Sequence, residues 1–281
     1  MTIVLAAISA LLYGGADFCG GLATKRSPVI SVLVFSQIVG LVLAVGAAAF
    51  VARGSASGAD LAWGAAAGVC GALGLAALYT ALATTIVAVA SPIAAVIGAV
   101  VPMAIGVTAG ERPGLIAWVG IALAVPAIAL LASGPAADRS DGKLRRAVTL
   151  GAAAGMGFGL FFAAISRTSP GSGLWPLVAA RTSTIVLVVL FALVRGKPLG
   201  VPPSNLPVVV ASGLFDMSAN VAFLLASRSG LLTVAAVITS LYPGPTVLLA
   251  WVFLRERLYP GRIAGIFLAL AGVALLSVPA R

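Results

Sequence analysis

The stretch "ERPGLIAWVGIALAVPAIALL" (111–131) returns, 145 residues later, as "ERLYPGRIAGIFLALAGVALL" (256–276). Glu, Arg, Gly, Ile, Leu, Ala and a closing Ala-Leu-Leu fall in one register. Most of those matches are cheap among helices rich in Ala and Leu. The Glu-Arg pair and the coincidence of Gly120 with Gly265 are not, so the two stretches mark a repeat. Each is an apolar run long enough for a helix, preceded by a single carboxylate. The question is what surrounds such helices.

Composition answers it. Of 281 residues, 61% are hydrophobic and 9% charged, with a mean hydropathy of +1.18. A soluble globular chain carries roughly 25% charged residues, so most of this surface must face lipid. The net charge of +10 is spread singly or in pairs between apolar runs, where it meets headgroups and not nucleic acid. Cys19 and Cys70 lie inside apolar runs and suggest no disulfide. The first run begins at Thr2 without a basic leader and reads as a spanning helix, not a cleaved signal.

A bilayer core needs about 20 apolar residues per helix. Such windows fall at 3–23, 30–52, 60–81, 85–108 and 113–132, then at 147–166, 174–194, 206–227, 232–254 and 260–279. The polar break between the sets is "SGPAADRSDGKLRR" (133–146). The expected fold is therefore an all-α integral membrane protein of ten transmembrane helices in two five-helix repeats. The repeats occupy 1–133 and 147–281, joined by a loop at 134–146. Because five is odd, the second repeat enters the membrane inverted, and inverted repeats place a substrate site at their interface near the midplane.

The chain resembles the drug/metabolite transporter superfamily, EamA type. The resemblance rests on the ten helices in two halves, on "LYGGADFCGGLA" (12–23), and on the Glu that precedes each Gly-bearing last helix. It covers nearly the whole chain. It implies a secondary transporter in the inner (plasma) membrane, often an efflux protein for metabolites or drugs, with a central cavity built by both halves. It implies no particular solute, because members move very different ones.

Transport needs polar groups where lipid forbids them. In "ASGLFDMSANVAFLLA" (211–226), Ser212, Asp216 and Asn220 recur every fourth residue and share a helix face. Asp216 sits about eleven residues from either end of its span, where a charge costs at least ~2.5–3.5 kcal/mol unless it faces a cavity or partner. Arg181 is the candidate partner: it lies about 10 Å and Asp216 about 16 Å below one face. The pair reads equally as a structural ion pair and as a site. The 145-residue shift puts Asp216 on Gly71 and Asn220 on Leu75, so the site is expected to be asymmetric. Asp17 lies within two turns of Lys25 and Arg26 and reads slightly better as a carboxylate snorkelling to that interface than as a cavity group. Gly14, Gly15, Gly20 and Gly21 around it read as close-packing positions.

The ninth span contains "TSLYPGPT" (239–246), in which Pro243, Gly244 and Pro245 break the helix and free the carbonyls of Thr239 and Leu241. The fourth span offers Pro92, Gly98 and Pro102 at the equivalent depth. Matched broken helices point to a transport site, although a packing kink reads the same. Ser240, Tyr242 and Tyr79 supply hydroxyls and rings there, with Tyr13 and Gln37 as weaker candidates. Glu111 and Glu256 read as structural, each favouring the dipole of the helix start that follows it. Trp63, Trp118, Trp175 and Trp251 lie near span ends as an interfacial belt.

These residues favour a transporter working by alternating access, with a solute that is a zwitterion, a cation or a neutral polar molecule. Proton coupling through Asp216, exchange and facilitation read alike. A lipid-linked flippase is the alternative within transport. An intramembrane enzyme needs paired acids, a Ser–His pair or a metal site, and the chain has no His and no clustered acids. No cofactor or metal is expected. The partners are a small solute and the bilayer, in a monomer or a homodimer formed through Gly261 and Gly265.

Orientation divides two arguments. With the N-terminus inside, the inner loops hold Arg53, Arg112, Arg167, Arg228 and Arg281, and the outer loops hold eleven basic residues, including Arg139, Lys143, Arg145 and Arg146. The charge bias favours both termini outside; the resemblance implies both in the cytoplasm. Following the resemblance, a cysteine at Ser55 should react with an impermeant reagent from the cytoplasmic side and one at Ser140 from the outside. The opposite labelling would establish the charge-bias topology.

Overall fold

The computed structural model of the chain describes residues 1–51, 54–84, 87–132, 141–197, 199–255, 258–276 and 278. Within them the side chains of 51, 79, 82–84, 87–88, 132 and 141 are not described. The described residues are helical, with no strand among them. The helices are α1 (Thr2–Thr24), α2 (Val29–Gly46), α3 (Gly58–Thr84), α4 (Val87–Thr108), α5 (Leu115–Ala132) and α6 (Asp141–Ser166). They continue with α7 (Trp175–Val194), α8 (Leu206–Arg228), α9 (Leu232–Thr239), α10 (Pro243–Leu254) and α11 (Pro260–Leu276).

Eight segments are long and apolar enough to cross a membrane, one of them formed by α9 and α10 together. The chain is a multi-pass membrane protein. The last window of each half is shorter than expected: the apolar runs Leu115–Leu131 and Pro260–Leu276 fall below spanning length. At 1.5 Å per residue each reaches about 26 Å, just short of a ~30 Å core. The polar break also differs, because Asp141–Arg146 already belongs to α6. Helix boundaries follow local chemistry. Proline fits the first turn of a helix, where its missing N–H costs nothing, and Pro176, Pro207, Pro243 and Pro260 all sit there. Gly196, at φ 57°, closes α7 as the left-handed residue that lets Lys197 N–H reach the Ala192 carbonyl at 2.9 Å.

In lipid, helices associate through close packing of small residues. The crossings that build this fold join α1 to α8, α9 and α10; α3 to α6 and α7; α4 to α6 and α9; α2 to α7 and α8; and α5 to α11. Glycines set the spacing. On α6, Gly151, Gly155 and Gly159 recur every fourth residue against α4, where an added Cβ would lie 2.6 Å from Ala90 O, Ala94 O and Val101 Cβ respectively. Gly157, on the other side, meets Cys70 O and Gly74 of α3. Gly14 brings α1 onto the α9–α10 break, its hypothetical Cβ 2.5 Å from Pro245 Cβ and 2.9 Å from the Thr246 N–H nitrogen. Gly15 meets Phe215 and Gly20 meets Ser212, while Gly21 has open space.

Gly120 and Gly265 seat α5 on α11: the first abuts Leu276 and the Gly272 carbonyl, the second Leu130 and Leu131. The Gly261–Gly265 stripe is thus turned inward against α5, not towards a second copy. Trp63, Trp118 and Trp251 project outward, as an interfacial belt requires; Trp175 is half-buried.

Gly155→Ala should therefore lower the thermal unfolding midpoint of the detergent-solubilised protein, at a cost of about 1–3 kcal/mol, because backbone oxygen cannot move aside. Gly21→Ala should leave it unchanged or raise stability by up to about 1 kcal/mol through helix propensity alone. Equal effects of the two would show that the α4–α6 crossing is loose.

Candidate functional site

Arg181 dictates the centre of the molecule. Its guanidinium is buried between α2, α7 and α8, where an unpaired charge would be prohibitive. Nη2 pairs with Asp216 Oδ2 at 2.5 Å, Nη1 donates to Gln37 Oε1, and Nε lies 3.5 Å from Met217 Sδ. Room for the group comes from Gly40, whose added Cβ would stand 3.4 Å from Nε. The side chains differ in exposure, 9% for Arg181 against 27% for Asp216. The carboxylate therefore keeps one side open while the cation is enclosed. Gln37 proves to be a direct partner of the pair. Met217 and Gly40 gave no sequence signal beyond being apolar or small.

The three residues of the polar stripe on α8 part company. Ser212 is buried and donates to Ala16 O of α1 at 3.0 Å. Asn220 is buried too, donating to the Asp216 carbonyl at 2.7 Å and leaving Oδ1 without a partner among the described residues. The reason is the α1–α8 crossing, which covers that face on both sides of Asp216. Ser9 Oγ of α1 seals it further by donating to Ala219 O at 2.8 Å.

Asp17 lies elsewhere than an interface reading requires. The outward stripe of α1 is marked by exposed Val4, Ile8 and Leu11. At helical pitch Asp17 lies roughly 120–180° around from each of them, yet its side chain is exposed. It therefore opens to space inside the helix assembly, on the same face as Tyr13 one turn earlier. The face, not the depth, bears on the snorkelling reading.

Tyr13 and Tyr242 face one another with ring centroids 6.2 Å apart, and Tyr13 meets Phe162 edge-on at 6.1 Å. Phe162 continues to Phe223 at 4.2 Å and Phe161 at 5.6 Å. These five rings, from α1, α6, α8 and the α9–α10 break, form an aromatic floor. α1 and α6 otherwise stand apart, so the floor closes the gap between them on the side of the N-terminus. Beyond Asp17, towards the C-terminal end of α1, Gly21 is exposed and unopposed.

The expected helix break is real in the second half, with a different product. α9 stops at Thr239 and α10 starts at Pro243. The carbonyls of Thr239 and Leu241 are not freed: Tyr242 N–H reaches the first at 3.2 Å and Gly244 N–H the second at 2.9 Å. The chain tightens into turns that re-satisfy its own backbone, as a low-dielectric setting demands. What the break presents is the Tyr242 ring; Ser240, Pro243 and Gly244 are buried beside it and Pro245 partly so. The matching interruption in the first half is absent. α4 stays helical through Pro92, Gly98 and Pro102, because two prolines ten residues apart each remove one bond that neighbouring turns can absorb. The Tyr79 side chain lies outside the described residues.

Polar locks hold the face that carries the N-terminus. Asp60, at the start of α3, accepts from Ser57 N–H, Ser57 Oγ, Ser169 N–H and Ser169 Oγ at 2.7–3.0 Å. Arg228, ending α8, donates to Gly173 O, Thr168 Oγ1 and Ser172 Oγ at 2.8–2.9 Å. The loop between α6 and α7 is clasped between them. Glu111 accepts the N–H groups of Leu232 at 2.5 Å and Thr233 at 2.9 Å. It is a helix-dipole carboxylate as expected, but for α9 and not for the helix that follows it. Glu256 is outside the described residues. On the opposite face, the neutral Asn205 holds the α1–α2 turn through Ala23 O and Ser27 Oγ, both at 2.8 Å.

Asp216→Asn should strand the Arg181 charge and cost about 3 kcal/mol, read as a lowered unfolding midpoint. Adding Arg181→Gln should recover most of that loss. If the single variant unfolds like the parent, the pair contributes nothing to stability.

Comparison with known proteins fits this geometry. No curated protein sequence matches the chain. A crystal structure of a protein 16% identical in sequence superposes with a TM-score of 0.78, over 98% of this chain and 96% of its own. At that identity the likeness shows the fold alone. Residues 145–278 match the family described as the EamA-like transporter family. Over that second half, the chain is similar to the EamA-like transporter family.

Proposed function

We propose that the chain is a secondary transporter, an exporter of small solutes in the inner membrane, with two inverted five-helix halves alternating access to a central cavity. The observation that carries this reading is the Arg181–Asp216 pair, which leaves a part-exposed carboxylate, with a second exposed carboxylate, Asp17, turned away from the outward stripe of α1. A purely structural ion pair would have no reason to keep one partner open.

The repeat reading draws support from contacts that exchange under the 145-residue shift. Gly120 abuts Leu276 and Gly265 abuts Leu131; Gly14 abuts Thr246 and Gly159 abuts Val101. Asp60 clasps the α6–α7 loop and its counterpart Asn205 clasps the α1–α2 turn. The crossings α1–α8 and α3–α6 exchange in the same way. A two-fold axis in the membrane plane relates such pairs, and transporters with this symmetry rock their halves about a central site. The locks on the N-terminal face and the aromatic floor fit a state closed on that side and open on the other.

Function should then separate from stability. In proteoliposomes screened with a panel of radiolabelled solutes, with and without a pH gradient, the parent should concentrate at least one solute. The double variant Asp216→Asn with Arg181→Gln should fold and fail to transport. A stable, active double variant would reduce the pair to architecture. Replacing Pro243 and Pro245 by Ala should let α9 and α10 fuse, preserve folding and slow transport by about tenfold or more, since the hinge and the placement of Tyr242 are lost. Parent rates in that variant would make the break a packing kink.

A further inference from the structure

The internal space has an unbalanced charge. Arg181 and Asp216 neutralise one another, and Gln37 accepts a hydrogen bond from the guanidinium. Asp17 then remains as a second carboxylate opening to the same space. Lys25 and Arg26 are two turns further along α1, at its end. With Asp17 ionised, the three groups sum to one negative charge with its seat at Asp17.

The walls around that seat are aromatic. Tyr13 lies one turn from Asp17 on the same helix face, and its ring packs against that of Tyr242. Both rings are only partly buried, while the floor beneath them, Phe162 and Phe223, is buried and apolar. Ring faces are electron-rich and attract cations that are weakly hydrated. A small anion would meet two carboxylates and no free cation. A strongly hydrated inorganic cation would find no cage of oxygen ligands, which it needs to replace its water. An organic cation satisfies both features: its charge meets Asp17 and its apolar body lies on the rings.

We infer that the cavity selects a monovalent organic cation with an apolar or aromatic body, an amine or quaternary ammonium, seated on Asp17 and against the rings of Tyr13 and Tyr242. This rests on the transporter reading above and names its substrate class. Asp17 contacts the cation; Asp216 is already committed to Arg181. Ser212 and Asn220 take no direct part because the α1–α8 crossing covers them.

The test uses the full chain purified in detergent, with benzyltrimethylammonium as probe. Its uncharged carbon isostere neopentylbenzene and the anion benzenesulfonate serve as comparisons. Calorimetric titration should show saturable binding of the cation, and neither comparison compound should compete with it. Asp17→Asn should weaken cation binding about tenfold or more, as loss of one charge-assisted contact requires. Asp17→Glu should retain most of it, which separates loss of charge from loss of fold. Tyr242→Leu should weaken binding several-fold and Tyr242→Phe should not. No binding of the cation, equal binding of the isostere, or an unchanged affinity in Asp17→Asn would each overturn the inference. Counterflow in proteoliposomes distinguishes the two layers. Cation that binds through Asp17 without being carried would refute the transport reading and leave this one intact. Carriage of an anionic or neutral solute with no cation binding would do the reverse.

Discussion

A guanidinium that cannot reach water organises the centre of this molecule. Arg181 sits on a span whose other residues are fit for lipid, and its five N–H groups and charge must all be answered from within. The answer draws one residue each from α2 and α8, with a glycine on α2 to admit the plane of the group. Three helices are thereby fixed in register at mid-depth. A carboxylate on α8 is spent on this, and the polar residues one turn to either side of it pack against α1.

Around that centre the helices hold together by surface shape. Glycine rows on α6, α1 and α5 bring backbones close enough for carbonyl oxygens to touch neighbouring helices. Such contacts tolerate little lateral slip, yet they carry few hydrogen bonds that would resist a rigid tilt. Further polar locks tie the loops. On one face they include a carboxylate and a guanidinium with seven hydrogen-bond contacts between them; on the other, the Asn205 amide holds the α1–α2 turn and Gly200 N–H donates to Ser31 Oγ of α2.

The sequence disclosed most of the fold because lipid leaves few options. Apolar run length located the helices, and the Asp216–Arg181 pairing followed from depth alone. What it missed depends on azimuth and on contacts between halves. For Asp17 the distance to Lys25 and Arg26 leaves two readings open, and only the outward stripe at Val4, Ile8 and Leu11 bears on which way it points. Ser212 and Asn220 shared a face with Asp216, but pitch cannot tell a cavity wall from a helix contact. The prolines of α4 and of the α9–α10 break look alike as letters. Only the second set interrupts a helix, where Pro243 starts a new one and the small Gly14 of α1 lets that turn come close. Glu111 was recognised as a cap, and its helix could not be, since Leu232 is 121 residues away.

That last separation has a consequence for how the protein is made. A ribosome adds about 5–20 residues per second, so Glu111 waits on the order of ten seconds before the helix it serves exists. Through that interval the first five helices are in the membrane with a carboxylate stranded at their edge. Conversely, α9 enters with its leading amide groups unanswered and finds their acceptor only on the older half. The finished first half is thus a receptor for α9, the helix that leads to Tyr242, and the start of α9 is completed only when both halves have arrived.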